Sequence, residues 1–527
     1  MPDGFDLRDE PWIPVRLGSS SVEVGLRELF LRAHEIEDLE LPIPPAASGL
    51  LRLLAAMTVR IASHDGVFLD DEDLAEDAVQ WRRLRGRVLA LGRFDPEAVN
   101  CYFDRKELAG RFDLFDSEGR PFLQDPRLRA ECVDAKGKPN PSGVNKLILG
   151  RPTGVNGAVL FGHFTDTAPV PVRAAEAAWH LIAQLYYGPS GQCTPRRITA
   201  DKPGNGDAGP LRKTVSFHPW APRLFTTLVL GVPARGPGME AADLDFCPWE
   251  DELSDPLGVL PPPGWPVRLL TGRARHAVLL EPTEDRTHVR DAYITWATHQ
   301  PAVAARDPYV ILDMPKAGGA PFPRAADAQR ALWRDLDALL LRTTDGESSR
   351  PWILDSLPRD LIQQLRVRAY GFDQDGQQRD RGWFEATTPP VLDWQEEVND
   401  EMAYRVNRCH RVAEEVGGRL DFAARLAWKL ATEPGDDPSA KVKLNPKKPG
   451  PWAKAATRGF WPAAERVFWQ LASPEQVEEE PHRLFVDAAL TALDDAIGTT
   501  RSDLRVARAR NRARSLLLAL LPPDTSQ

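Results

Sequence analysis

The stretch 391–431, "VLDWQEEVNDEMAYRVNRCHRVAEEVGGRLDFAARLAWKLA", sets apolar residues three and four apart over most of its length. That spacing belongs to an amphipathic helix with one face turned to a core. The adjacent Gly417 and Gly418 predict a break within it, because glycine is a poor helix former. Three further segments carry the same period: "WPAAERVFWQLA" (461–472), "PHRLFVDAALTALDDAI" (481–497) and "RSDLRVARARNRARSLLLALL" (501–521). Pro462 and Pro481 stand where proline suits a first helical turn. Four such segments joined by loops predict a C-terminal four-helix bundle over 389–527.

Before Pro390 the pattern differs. A short strand around Trp12–Val15 leads into "VGLRELFLRAHEIEDL" (24–39), read as an amphipathic helix, and "ASGLLRLLAAMTVRIAS" (47–63), read as a more buried one. From about 100 to 390 short strands mix with helices in a background rich in Gly and Pro. "RLFTTLVLGVP" (223–233) and "RHAVLLEP" (275–282) are expected as buried strands, and "VRAAEAAWHLIAQLYYG" (172–188) as a helix ended by Gly188. The loops 132–170, 188–213 and 430–460 are longer than a compact fold needs, and such loops are usually functional or disordered. The expected class is α+β: a large mixed α/β N-terminal domain with long loops, 1–388, followed by the bundle.

A chain of 527 residues, 42% hydrophobic and 27% charged, has material for two or three packed domains. The start, "MPDGFDLRDEPWIPV", lacks the basic and apolar regions of a secretory signal. No apolar run is expected to approach the roughly 20 residues that span a bilayer. The five cysteines, Cys101, Cys132, Cys193, Cys247 and Cys409, are scattered without a C-x-x-C pair. That spacing speaks against a disulfide framework or zinc and fits a reducing cytoplasm. A net charge of −10 argues against nonspecific nucleic-acid binding, which usually goes with basic domains. The charge is nevertheless uneven: 64–78 and 473–481 are acidic, 441–458 and 501–514 basic. Arg501, Arg505, Arg508 and Arg512 share one face of the last helix. That face is either merely solvated or contacts phosphates or an acidic partner, which arginine forks suit.

Motifs of catalysis are missing. Gly204, Gly206 and Gly209 spell G-x-G-x-x-G, but the flanks are not a strand and a helix, so a dinucleotide site is rejected in favour of a flexible glycine loop. "DQDG" at 373–376 resembles the opening of a calcium loop, yet the twelfth position is Phe384 where a bidentate Glu is needed. His163 and Asp166 have a spacing that an acid–base pair or a metal would accept, giving a stand-alone hydrolase as one alternative. A protein-interaction scaffold is another. No P-loop, nucleophile elbow, H-E-x-x-H or carboxylate cluster occurs, so no catalytic residue, cofactor or metal is assigned.

Several pieces, taken in order, resemble the CasA family, the large subunit of the type I-E CRISPR surveillance complex Cascade. They are "FDLRDEPWIPV" (5–15), "NKLILGRPTGVNGAVLFGHFTD" (145–166), "AWHLIAQLYYGPSGQ" (178–192), "GPLRKTVSFHPWAPRLFTTLVLGV" (209–232), "PWE" (248–250), "VRLLTGRARHAVLLEP" (267–282) and "YGFDQDGQQRDRGWFEA" (370–386). The resemblance implies a noncatalytic subunit that recognises the protospacer-adjacent motif (PAM) in double-stranded DNA, helps open the duplex and recruits a nuclease-helicase. It implies a wedge tip at Gln374, Asp375, Gly376 and Gln377, with Gln378 as a rival for the wedge glutamine. Gly188, Pro189, Ser190, Gly191 and Gln192 would form a glycine loop facing the PAM. Asn156, Gly157, Leu160 and Phe161 would approach the 5′ handle of the guide RNA and the neighbouring Cascade subunit. Some members reach the minor groove with a lysine from a strand that here, "DAYITWATHQPAVAARDP" (291–308), has none; Arg290, His299 and Arg306 are the nearest basic residues.

Overall fold

The computed structural model describes residues 4–62, 78–115, 119–152, 163–198, 204–235, 245–260, 264–300, 306–315, 318–344, 348–375, 379–433, 444, 449–473, 480–498 and 503–522. They form two units, 1–332 with 343–393, and 333–342 with 394–527. The α+β class is as expected, with sheets confined to the first unit and the second helical.

In the first unit helix α1, Pro44–Ala62, runs through the core with seventeen of its residues buried. Here the expectation of no membrane-length apolar run needs correction: α1 is long and apolar enough by composition, and its burial identifies it as a core helix. Helix α2, Ala174–Tyr187, lies against it. A Cβ at Gly49 would come within 2.6 Å of Ile182 and 2.7 Å of Tyr186, so glycine is what lets the two helices approach. Strand β1, Val215–Trp220, follows, and then helix α3, Leu224–Leu230, where a strand was expected. A run that is buried on every side shows no period, and only packing decides its type; Thr227 Oγ1 accepts the Ala221 N–H at 3.0 Å and secures the entry. Strands β2, His276–Pro282, and β3, His288–Trp296, form one antiparallel ladder. Strands β4, Arg366–Gln374, and β5, Asp380–Thr387, form another, in which the sheet order is β5-β4-β1. The segment 24–39 is not one helix: only Leu26–Leu31 is helical, and Asp38–Leu39 pairs with Ile13–Leu17.

In the second unit helix α4, Asp400–Thr432, is unbroken. Asn399 Oδ1 caps it by accepting the Met402 N–H at 3.1 Å. The predicted break at Gly417-Gly418 does not occur, because Gly417 serves packing rather than flexibility. A Cβ there would lie 2.8 Å from the Trp461 ring and 3.1 Å from Phe460, whereas Gly418 faces open space. Helix α5, Pro451–Leu471, starts ten residues before the expected Trp461, so Pro462 lies inside it and not in its first turn. Helix α6, Pro481–Ile497, opens on its proline as expected, and α7, Leu504–Leu518, completes the four.

Residues Trp333–Arg342 pack with this bundle although the 51 residues 343–393 of the first unit separate them from it. Trp333 stacks on Phe468 at 4.7 Å. Arg334 donates to both oxygens of Glu414 at 2.8 and 2.9 Å, its guanidinium 3.4 Å from the Trp461 ring centroid. His410 lies between Asp337 at 3.1 Å and Glu414 at 3.5 Å, charge contacts more than aligned hydrogen bonds. Burial opposes charge on His410, but the two carboxylates outweigh it and lift its pKa to about 9.

Two predictions follow from this packing. Since the folded His410 holds its proton more tightly than the unfolded value of 6.5, stability is fully present below pH 6.5 and is lost as pH rises through about 9. Denaturant midpoints measured from pH 6 to 10 should fall across that window, and His410→Gln should flatten the fall. Gly417→Ala should cost about 1–3 kcal/mol by overpacking, while Gly418→Ala should gain up to about 1 kcal/mol from helix propensity; urea unfolding of the two variants checks the opposite signs.

Candidate functional site

Helix α2 ends at Tyr187, and the chain turns into the glycine loop. Gly188 closes the helix by room and not by a left-handed φ: a Cβ would lie 2.5 Å from the Gln184 carbonyl and 2.7 Å from the His276 ring. His276 Nε2 donates to the Pro189 carbonyl at 3.0 Å, which sets its tautomer. Burial holds this imidazole neutral, its pKa pushed down to about 4. Gly191, at φ +120°, needs glycine for its backbone. Gly191–Gln192 pairs with Asn205–Gly206, so two of the six residues of the predicted flexible G-x-G-x-x-G loop form a strand of a two-stranded ribbon. Lys146 donates from Nζ to the Gln192 carbonyl at 3.0 Å, its pKa lowered by burial. Pro189, Ser190, Gly191 and Gln192 are exposed, yet pinned on the carbonyls of Pro189 and Gln192.

The β4–β5 hairpin is braced by aromatics. Phe372 pairs across with Trp383, ring centroids 6.1 Å apart. Gly371 pairs with Phe384, whose ring covers it so closely that a Cβ would sit 2.2 Å from it. The base of the turn is closed twice: Asp375 N–H donates to the Arg379 carbonyl and Arg379 N–H to Asp375 Oδ1, both at 2.9 Å. Gln374 Nε2 donates to Asp380 Oδ1 at 2.6 Å. Gly376, Gln377 and Gln378 lie outside the described residues.

Loop and hairpin meet at Arg212. Its side chain is 4% exposed. It donates to the Tyr187 carbonyl, where the loop begins, and to Asp380, on the flank of the hairpin. Its guanidinium lies 4.6 Å from the Phe372 ring centroid, and Phe372 stacks on Tyr187 at 5.8 Å. Burial lowers the Arg212 pKa, and Asp380 acts against that. Four groups thus lock two sequence-distant segments into one body. None of Arg212, His276, Lys146 or Asp380 was singled out from sequence; an arginine inside the strand-like "GPLRKTVSF" was the available signal.

The other expected residues scatter. Asn156, Gly157, Leu160 and Phe161 lie outside the described residues, as does Arg501. Arg505, Arg508 and Arg512 are exposed on α7, and so are Arg290, His299 and Arg306. His163 is exposed, and Asp166 accepts from Asn145 at 3.0 Å. Neither lines the cavity of about 430 Å³ that is walled by Leu53, Leu185, Tyr186, Phe246 and His276 among others. Among the described residues no cluster of three metal-binding side chains exists. Cys132, Cys247 and Cys409 are buried free thiols, Cys132 pushed up to about 12 by burial.

A family model described as CRISPR-associated protein Cse1 matches residues 6–500. A chain of a CRISPR RNA-guided surveillance complex is 40% identical and superposes with a TM-score of 0.83, over 98% of this chain and 100% of that one. CRISPR-associated protein CasA/Cse1 of Thermus thermophilus is 30% identical over 347 residues, a match spanning 64% of this chain and 60% of that protein's length. Thermobifida fusca Cse1 shares the fold at 20% identity, with a TM-score of 0.75 over 98% of both chains.

Removing the joint should loosen both segments together. For Arg212→Leu we expect amide exchange in 190–192 and 372–375 to speed at least tenfold while α2 stays protected. Global stability should fall by about 2 kcal/mol, less than for a fully buried pair because Asp380 is half-exposed. Arg212→Lys should recover little, since one ammonium cannot fork to both partners.

Proposed function

The chain belongs to the CRISPR-associated Cse1 family, and on that premise we propose that it is a noncatalytic subunit of a type I-E CRISPR RNA-guided surveillance complex. In this reading it recognises the PAM in double-stranded DNA, helps open the duplex and recruits a separate nuclease-helicase. The observation that carries the reading is the Arg212 joint, which fixes the glycine loop and the hairpin to each other. A reader of one DNA site and a wedge acting beside it must keep a set distance, and a shared buried cation supplies that.

The minor groove offers a degenerate pattern of acceptors with one extra donor at G·C pairs. Backbone amides and an amide side chain such as Gln192, brought close by Gly188, Pro189, Ser190 and Gly191, suit such a surface and tolerate several motifs. The wedge, Gln374 to Gln378, would insert beside the PAM at a cost of a few kcal/mol per unstacked step. Guide–target pairing then offsets the lost DNA pairing. The closed turn base and the aromatic brace support this role, because a loose tip would yield before the base stack does. Asn156, Gly157, Leu160 and Phe161 are proposed to meet the guide RNA 5′ handle and neighbouring subunits. Arg501, Arg505, Arg508 and Arg512 are proposed to meet phosphates or a protein partner.

In the assembled complex, Gln377→Ala with Gln378→Ala should slow strand opening of a PAM-bearing duplex at least tenfold, read by 2-aminopurine fluorescence, with guide binding intact. Unchanged opening would remove the wedge assignment.

A further inference from the structure

The root of the hairpin segregates its charges. Its three carboxylates are engaged from within. Asp373, 3% exposed, accepts the Ala328 N–H at 3.0 Å. Asp375 accepts the Arg379 N–H at 2.9 Å, and Asp380 takes Arg212 and Gln374. The cations of the root lie at the surface. Lys213, Arg379 and Arg381 are exposed. Among the described residues no carboxylate pairs with Lys213 Nζ or with the Arg379 guanidinium, and Arg381 reaches Asp373 only at 3.9 Å.

Register gathers these three. Asp373 pairs with Gly382 and Gln374 with Asp380, which leaves Arg381 as the bulged residue of edge strand β5. On the opposite side of β4, the Phe372 N–H donates to the Thr214 carbonyl at 3.2 Å, so Lys213 lies across the same end of the sheet. Two strand spacings, about 10 Å, separate it from Arg381. Lys213 also holds φ +67°, a left-handed conformation rare outside glycine, asparagine and aspartate. Its carbonyl is fixed there by the Ala326 N–H at 2.8 Å. The turn sends Arg212 into the joint and its neighbour Lys213 to the surface, and an unfavourable backbone kept at such a point is a pointer to function.

We propose that Lys213, Arg379 and Arg381 form a cationic arc that holds backbone phosphates of the DNA where its strands part. The proposal rests on the duplex-opening reading above. Such contacts position the nucleic acid without reading its sequence. They supply what amides at the tip lack, a hold on the strands that does not depend on the bases.

The test is duplex binding by the assembled complex across a salt series. Each lost phosphate contact should make the slope of log K against log salt shallower by about 0.9. Lys213→Gly should therefore lower it by about 0.9, and Arg379→Gln with Arg381→Gln by about 1.8, equally for duplexes with and without a PAM. Lys213→Gly relieves the backbone while removing the charge, so its melting temperature should equal or exceed that of the parent protein, which separates lost contact from misfolding. Unchanged slopes overturn the arc whatever happens to strand opening. Shallower slopes together with normal opening by the Gln377/Gln378 double variant keep the arc and discard the wedge. Intact DNA slopes with weakened nuclease-helicase binding make the arc a protein-docking surface and overturn the proposal.

Discussion

A guanidinium stays charged in a protein and brings five donors that must be met. Burying Arg212 therefore dictates what surrounds it. The Tyr187 carbonyl and the Asp380 carboxylate accept hydrogen bonds from its N–H groups, and the Phe372 ring lies against it. Each partner belongs to a different element, so the demand of one side chain becomes a constraint on three. The loop must begin where Tyr187 points its carbonyl, and the hairpin must keep the half-exposed Asp380 within reach of Arg212. The exposed surface is then what remains after the inward demands are satisfied: loop residues pinned from below, and the exposed cations Lys213, Arg379 and Arg381.

The core of the same unit uses the device more deeply. Arg52, 1% exposed on α1, meets Asp307 through bonds of 2.9 to 3.2 Å and lies 4.5 Å from the Tyr309 ring centroid. Arg273 shares the same carboxylate at 3.2 Å. Tyr309 stacks on His218 of β1 at 4.3 Å, and His218 reaches Ser216, whose hydroxyl lies 3.2 Å from Ser48 of α1. A buried ion pair adds less stability than its Coulomb energy implies, because desolvation offsets it, but losing one partner is costly. Such pairs specify as much as they stabilise. Together they fix the register between α1 and the sheet on which the hairpin is built.

Much of this organisation could be read from the sequence, and the failures have physical causes. The bundle was legible because exposed helices keep their period, which Met402, Val406, Cys409 and Ala413 display on α4. Residues 223–233 misled because a helix with no exposed face has no period to show. The Gly417-Gly418 pair misled because propensity treats both alike, whereas one faces Trp461 and the other solvent. Pro462 misled because a proline inside a helix and one at its start look the same until the helix start is known. For the site, the loop and hairpin were legible through order and composition. Their joint was not: Arg212 and Asp380 are 168 residues apart, and nothing local marks them as partners.

The excursion of Trp333–Arg342 into the second unit bears on biosynthesis. The chain passes between the two units three times, after residues 332, 342 and 393. On a ribosome the strap emerges long before α4 and α5, so Trp333 and its neighbours must wait without the Phe468 and Glu414 surfaces they later cover. The contacts that hold the strap in the second unit can therefore form only once α4 and α5 have been made. A polypeptide cut at residue 389 would part the strap from its partners on α4 and α5.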